Sequence, residues 1–106
     1  MPTSVRGQTA DNGPRGLQFE WDEDKAQANA RDHGVTFDEA QTVFSDPLSR
    51  TYPDPDHSVG EKRLIDIGLS TRGRVLLVVY TERHDRIRLI SCRFATRQER
   101  RHYEEG

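Results

Sequence analysis

Arg83, Arg86 and Arg88 sit within six positions of one another, in a stretch (residues 62–101) that carries ten arginines and one lysine against four acids. A guanidinium is a planar fork that grips phosphate oxygens in pairs, which the point charge of lysine does not do. The chemistry this stretch offers is recognition of an anion, with phosphate the natural fit. Residues 19–61 are its opposite, with eleven acids and three bases, so a net charge of −2 conceals −8 against +7. Such asymmetry points to an anionic partner for the basic half. The plainer alternative is that the two halves neutralise each other across the fold, and GC-rich codons also enrich arginine. Other chemistries lack their residues. The four histidines and Cys92 show neither C-x-x-C nor H-x-x-x-H spacing, so no metal site is expected. Glycine-rich phosphate loops, a serine nucleophile elbow and paired catalytic carboxylates are missing too, and no cofactor is implied.

Positioning the arginines falls to a small fold. With 106 residues, 32% of them apolar and 32% charged, the chain suffices for one domain with a thin core. No apolar run approaches the roughly 20 residues of a membrane span. The N-terminus lacks the apolar stretch of a secretory signal, and a lone cysteine makes no internal disulfide. The expectation is a soluble, cytoplasmic protein with no membrane partner. Residues 1–18 hold three Gly and two Pro with no hydrophobic period and read as a flexible tail; residues 19–106 read as a single domain.

Asp22 is placed to cap a helix over Lys25–His33, with Glu23 and Asp24 complementing its dipole and Gly34 supplying a left-handed C-cap. Thr36 to Glu39 form a capping box for a second helix, with Phe37, Ala40, Val43 and Phe44 on one face and Pro47 as its stop. A loop over 48–60 follows, with a short edge strand near Arg50–Tyr52. Three strands come next, Lys62–Ser70, Arg74–Glu82 and Arg86–Phe94, joined by tight turns that make neighbours antiparallel. Thr96 to Glu99 form another capping box, opening a C-terminal helix to about Glu104. The expected fold is α+β: a small antiparallel meander of three to four strands, with two N-terminal helices and one C-terminal helix packed on one face. Two-residue loops at Arg72-Gly73 and His84-Asp85 would align Ile65, Ile67 and Leu69 with Leu76, Val78, Tyr80, Ile87 and Leu89 on the helix-covered face. The opposite face then gathers Asp66, Thr81, Arg83, Arg86, Arg88 and Cys92, and Glu82 stands across from Arg63. A solvated hairpin tip is the plainer account of these arginines.

In order and spacing, several segments resemble the BrnT family of type II toxins. They are Phe19-Glu20-Trp21-Asp22 with Lys25, Asn29 and His33-Gly34-Val35; Asp56-His57-Ser58 with Glu61 and Arg63; Val79-Tyr80-Thr81-Glu82-Arg83; and Ile87 to Ser91, leading through Arg93 to Ala95-Thr96-Arg97 with Glu99, Arg100 and Tyr103. The likeness spans about residues 19–104. It departs at Cys92 and Phe94, where the family more often shows Ala and Lys, and a missing lysine removes one candidate phosphate contact. The resemblance implies a RelE-like fold and a ribonuclease that arrests translation. It also implies a cognate BrnA-type antitoxin, and binding to promoter DNA only through the antitoxin complex.

RNA cleavage without a metal uses the adjacent 2′-hydroxyl as nucleophile. It needs a base for that hydroxyl, cations for the charge building on phosphate and an acid for the leaving 5′-oxygen. Arginines suit the second task and, being always protonated, not the first. Arg63, Arg83, Arg88 and Arg93 are the candidate catalytic cations, with Lys25, Arg86 and Arg97 as RNA contacts. His57, in a polar loop, is the first candidate for proton transfer, because an unperturbed imidazole titrates at about pH 6.5. Its alternative role is to order that loop through Asp56 or Glu61; Glu61 and Glu82 are further candidate bases. Tyr52, Phe94 and Tyr103 are the available stacking platforms for bases. Two other readings stay open: a gyrase-inhibiting toxin on the same scaffold, and a decayed, partner-binding subunit, which the missing lysine at position 94 keeps alive.

Overall fold

Helices start where the capping residues put them. In a computed structural model, which describes residues 7–10, 16–55 and 62–106, the Asp22 carboxylate accepts from the backbone N–H groups of Asp24 and Lys25 and opens α1 (Glu23–His33). Gly34 closes that helix at φ 73°, in the left-handed region that glycine enters without strain. Thr36 caps α2 (Phe37–Thr42), which tightens into a 3₁₀ turn over Val43–Ser45. Thr96 and Glu99 bond reciprocally at the start of α3 (Arg97–Glu105).

Among the described residues six strands form one sheet: β1 (Gly7–Ala10), β2 (Gln18–Asp22), β3 (Arg50–Pro53), β4 (Leu64–Leu69), β5 (Val75–Arg83) and β6 (Arg86–Phe94), in the order β1-β2-β6-β5-β4-β3. β3 to β6 are the expected meander, and two strands extend it. Gly7–Ala10, within the stretch expected as a tail, pair antiparallel with β2. β2 in turn pairs parallel with β6, Phe19 opposite Ile87, so the sheet is mixed rather than wholly antiparallel. Phe19 and Trp21 point inward and Glu20 outward, a period of two too short to stand out before the helix begins.

The β4–β5 register lies one residue from the expected one. Three residues, Thr71-Arg72-Gly73, make the turn: Ser70 N–H donates to the Arg74 carbonyl at 2.8 Å and Gly73 takes φ 79°, the left-handed third position typical of such hairpins. Leu64, Asp66 and Gly68 therefore oppose Tyr80, Val78 and Leu76. Ile65, Ile67 and Leu69 pass to the other face, and position 82 falls out of step with Arg63. An irregularity then shifts the β5–β6 pairing, from Tyr80↔Leu89 to Val79↔Ser91, leaving Ile90 as the extra residue. This bulge turns Cys92 onto the same face as Leu89. Cys92, expected beside the arginines, is thus in the core.

α1 and α2 cover that core face. Phe44 meets Phe19 and Tyr80 edge-on, with centroids 5.2 and 4.9 Å away, and Trp21 meets Phe37 at 5.8 Å. Where β2 leaves β6, the Asn29 amide replaces it: Nδ2 donates to the Cys92 carbonyl at 2.8 Å and Oδ1 accepts the Cys92 N–H at 2.9 Å. The C-terminal helix does not join α1 and α2, contrary to the one-face arrangement expected. Its Glu99 binds Arg93, its His102 stands against Tyr52, and Arg101 and His102 line a cavity with Ile67. These partners belong to the opposite face, where Ile67 and Leu77 are buried a second time over. No described helix is long and apolar enough to cross a membrane.

Candidate functional site

Alternation decides which side chains share the face that α3 only partly covers. Because Leu76, Val78 and Tyr80 turn to the core, Leu77, Val79, Thr81 and Arg83 of β5 turn away from it. Their partners in β6 are Arg93, Ser91, Arg88 and Arg86. In β4 the same face carries Ile65 and Ile67. Arg63 precedes them, its carbonyl continuing the β3–β4 ladder by accepting the Asp54 N–H at 3.1 Å. The surface is graded as a result. Ile65, Leu77 and Val79 floor a groove of about 450 Å³, walled by Asp54 and Pro55 and by Arg93 and Glu99. Beyond the floor come Thr81 and its partner Arg88, and beyond them Arg83 faces Arg86 across the hairpin; Arg63 stands just before β4.

The three arginines expected together are together. Arg88 contacts Glu20, its neighbour in β2, through Nη1 at 3.3 Å. Arg93 stands apart from them at the other end of the groove, and both of its terminal nitrogens bind Glu99, at 2.9 and 3.0 Å. Glu99 also accepts the Thr96 N–H at 2.8 Å, so this ion pair anchors α3. The Arg93 hydrogen bonds outweigh burial and hold the Glu99 carboxyl below its ordinary pKa. Lys25 is exposed in the first turn of α1, on the helix-bearing side, and Arg97 is exposed at the start of α3; neither joins the arginine group. Glu82 is exposed and alternates with Thr81 and Arg83, so it faces away from the groove. His57 and Glu61 lie outside the described residues; Pro55, two positions before His57, lines the groove.

The stacking platforms separate in the same way. Tyr103 donates to Asp46 at 2.6 Å, and burial, then that bond, push its pKa up to about 12. Phe94 packs beneath the Arg74 guanidinium, 4.8 Å from the ring centroid. Arg74 itself binds Glu39 of α2 through Nε at 2.8 Å and through Nη2. Position 94 therefore faces α2, and a lysine there would not enter the groove. Tyr52 alone of the three lies on the groove side, its ring 6.2 Å from His102. Burial pushes the Cys92 thiol up to about 12, which removes it as a nucleophile. Among the described residues no three His, Cys, Asp or Glu side chains converge as a metal site.

Reasoning from residue types passed over two members of this surface. Glu20 was legible only as one acid among eleven, though its place between Phe19 and Trp21 puts it on the outward face. Thr81 has no exposed surface, and its Oγ1 has no hydrogen-bond partner.

Residues 21–99 match the model of a family described as the ribonuclease toxin, BrnT, of type II toxin–antitoxin systems. Among solved structures, the Brucella abortus ribonuclease toxin BrnT, determined at 1.1 Å, superposes with a TM-score of 0.58 at 24% identity, over 73% of this chain and 94% of that one. That likeness establishes the shared fold. No curated protein matches the chain. The family match covers most of the chain, including the arginine hairpin and the Arg93–Glu99 pair, and on that ground the chain belongs to the BrnT family of ribonuclease toxins from type II toxin–antitoxin systems.

Proposed function

We propose that this chain is an endoribonuclease that cleaves RNA by metal-free attack of the 2′-hydroxyl and so arrests translation. The observation that carries the reading is the grouping of Arg83, Arg86 and Arg88 on the groove face, beyond its apolar floor. The 2′-oxygen attacks the adjacent phosphorus, its proton passing to a base. The P–O5′ bond breaks, the 5′-oxygen takes up a proton, and a 2′,3′-cyclic phosphate remains. His57, close in sequence to the groove-lining Pro55, is the proton-transfer group in this reading. Arg83 and Arg88 stabilise the charge that builds on the phosphate, with Arg86 and Arg63 on either side. Arg93, engaged by Glu99, acts by fixing α3 beside the groove. Lys25 and Arg97 contact flanking RNA. A BrnA-type antitoxin neutralises the toxin by covering the arginine face, and promoter DNA is bound only by way of the antitoxin.

Purified, antitoxin-free protein incubated with labelled RNA in EDTA tests this. The parent is expected to cleave and leave cyclic phosphate ends, and the double variant Arg83→Ala, Arg88→Ala to lose about 100-fold or more. Equal cleavage by both proteins would move the site away from these arginines. Loss of cleavage on adding EDTA would overturn the metal-free route.

A further inference from the structure

Three buried side-chain atoms among the described residues have no hydrogen-bond partner: Gln41 Oε1, Tyr52 Oη and Thr81 Oγ1. Only Thr81 is itself wholly enclosed, with 0% of its surface exposed. An unpaired hydroxyl in such a place is unfavourable, and a valine of the same shape would fill the strand without it. A group of this kind in a native fold calls for an explanation in function or an unseen partner.

We propose that Thr81 Oγ1–H donates a hydrogen bond to the phosphate being cleaved, adding an uncharged donor to the site of Arg83 and Arg88, with Arg63 on the other side of the threonine. The proposal rests on the ribonuclease reading above and adds to it a residue whose type carries no charge. Three observations place it. Thr81 is on the groove side of β5, and its direct partner in β6 is Arg88. On the other side, the β4–β5 ladder ends at Leu64↔Tyr80, so Arg63 comes level with Thr81 one residue further on. Strand spacing sets Arg88 about 4.8 Å from Thr81 along the sheet; Arg63 stands directly before β4, and both arginine side chains are long enough to converge above the hydroxyl. Thirdly, the β5–β6 irregularity falls between Val79 and Tyr80, one residue short of Thr81 and with its extra residue, Ile90, two positions from Arg88, and bulges re-aim side chains beside active sites.

The Arg88–Glu20 contact supplies the way in. It is a partly exposed pair at 3.3 Å, and a phosphodiester competes with Glu20 for the guanidinium. As Arg88 swings to the phosphate, the hydroxyl beneath gains the acceptor it lacks in the free protein. No bond to Thr81 forms or breaks; its proton stays on Oγ1 and is shared with a non-bridging oxygen whose charge grows as the 2′-oxygen attacks.

The test compares Thr81→Val and Thr81→Ser with the parent in three measurements. These are cleavage of labelled RNA, affinity for a fully 2′-O-methylated RNA that cannot react, and thermal melting. Thr81→Val is expected to melt at or above the parent. It should cleave about 100-fold more slowly at saturating RNA and bind the methylated RNA several-fold more weakly, and Thr81→Ser should recover most of both losses. Parent-like cleavage by Thr81→Val would overturn the proposal. So would equal losses in the valine and serine variants accompanied by lower melting temperatures, since packing would then be the cause. If the parent itself does not cleave, the ribonuclease reading fails separately. Weaker methylated-RNA binding by Thr81→Val alone would then still support the phosphate site, and unchanged binding would overturn it.

Discussion

Asp66 lies against the core with 4% of its surface exposed, and its Oδ1 accepts from both Thr51 Oγ1 at 2.7 Å and Tyr80 Oη at 2.9 Å. Burial lifts its pKa above the ordinary aspartate value, and the two hydrogen bonds only partly oppose that. Burial, with the neighbouring Asp66 carboxylate, raises the Tyr80 phenol as well. An acid whose folded pKa is raised stabilises the fold most when protonated, and that contribution is lost as pH climbs through the range between its unfolded and folded values. Tyr80→Phe keeps the edge contact with Phe44 but deletes one donor to Asp66. With Asp66 charged the substitution should cost about 1.5–3 kcal/mol, falling to about 1 kcal/mol once Asp66 is protonated. Urea unfolding of parent and variant across a pH series checks this: the penalty should shrink as pH falls, and a penalty independent of pH would mean that Asp66 does not titrate against this hydroxyl. Tyr80 was legible as a core residue from its alternation. Its acceptor was not, because the expected register set Asp66 on the other face.

That register is where element-level reasoning met its limit, and Gly68 shows why. Strand bounds, helix caps and the Gly34 stop were readable because each depends on neighbours in sequence: Asp22, Thr36 and Thr96 cap where expected. Choosing between a two- and a three-residue β4–β5 turn depended instead on assuming that one face of the sheet is apolar and the other open. Here both faces bury apolar residues, Val78 and Leu76 on one and Ile67 and Leu77 on the other, so hydrophobicity does not discriminate. The core face of β4 instead presents Asp66 and Gly68, polar and small, which nothing local announces. Gly68 is required there by close approach. A Cβ would lie 2.8 Å from Ser49 Cβ, 2.9 Å from Val43 Cγ1 and 3.2 Å from Asp46 Oδ2. Asp46 in turn binds the Leu69 N–H at 2.8 Å, so the segment after α2 is clamped onto β4 and has little room to yield. Gly68→Ala should therefore destabilise by about 1–3 kcal/mol, read as a lower urea midpoint at unchanged m-value. A midpoint equal to the parent's would show that this segment lifts freely. The parallel β2–β6 pairing was hidden for a related reason: it joins residues nearly seventy positions apart and leaves only three paired positions in β2.

At the scale of the whole molecule, the charge division has two uses. Part of it is internal, as the plainer reading held: Glu20 with Arg88, and Glu39 with Arg74 and Arg72, each join an acid of the first half to a base of the second. The division also gathers cations at the β5–β6 hairpin, where Arg83 and Arg86 face each other beside Arg88. The internal pairs make the fold acid-sensitive. Hydrogen bonds from Arg74, outweighing burial and aided by Ser70, hold the Glu39 carboxyl below its ordinary value. Glu99 is lowered through Arg93. At Asp46 burial is the largest single influence and acts upward, but bonds from Tyr103, Leu69 and Leu48 together prevail. A carboxylate with a depressed folded pKa contributes stability that is present above its unfolded value and is lost as pH falls through the folded one. Asp66 acts in the opposite sense but is one group against three. The melting temperature should thus be nearly level from pH 7 to about pH 5 and drop steeply below about 4.5, the ordinary glutamate value. Glu39→Gln should melt lower than the parent at pH 7, because Arg74 loses its charged partner, and the two curves should converge as the parent's Glu39 protonates. Melting curves recorded at half-unit steps from pH 7 to pH 3 decide it: curves that stay a constant distance apart would show that the Glu39–Arg74 pair does not set the acid limit of this fold.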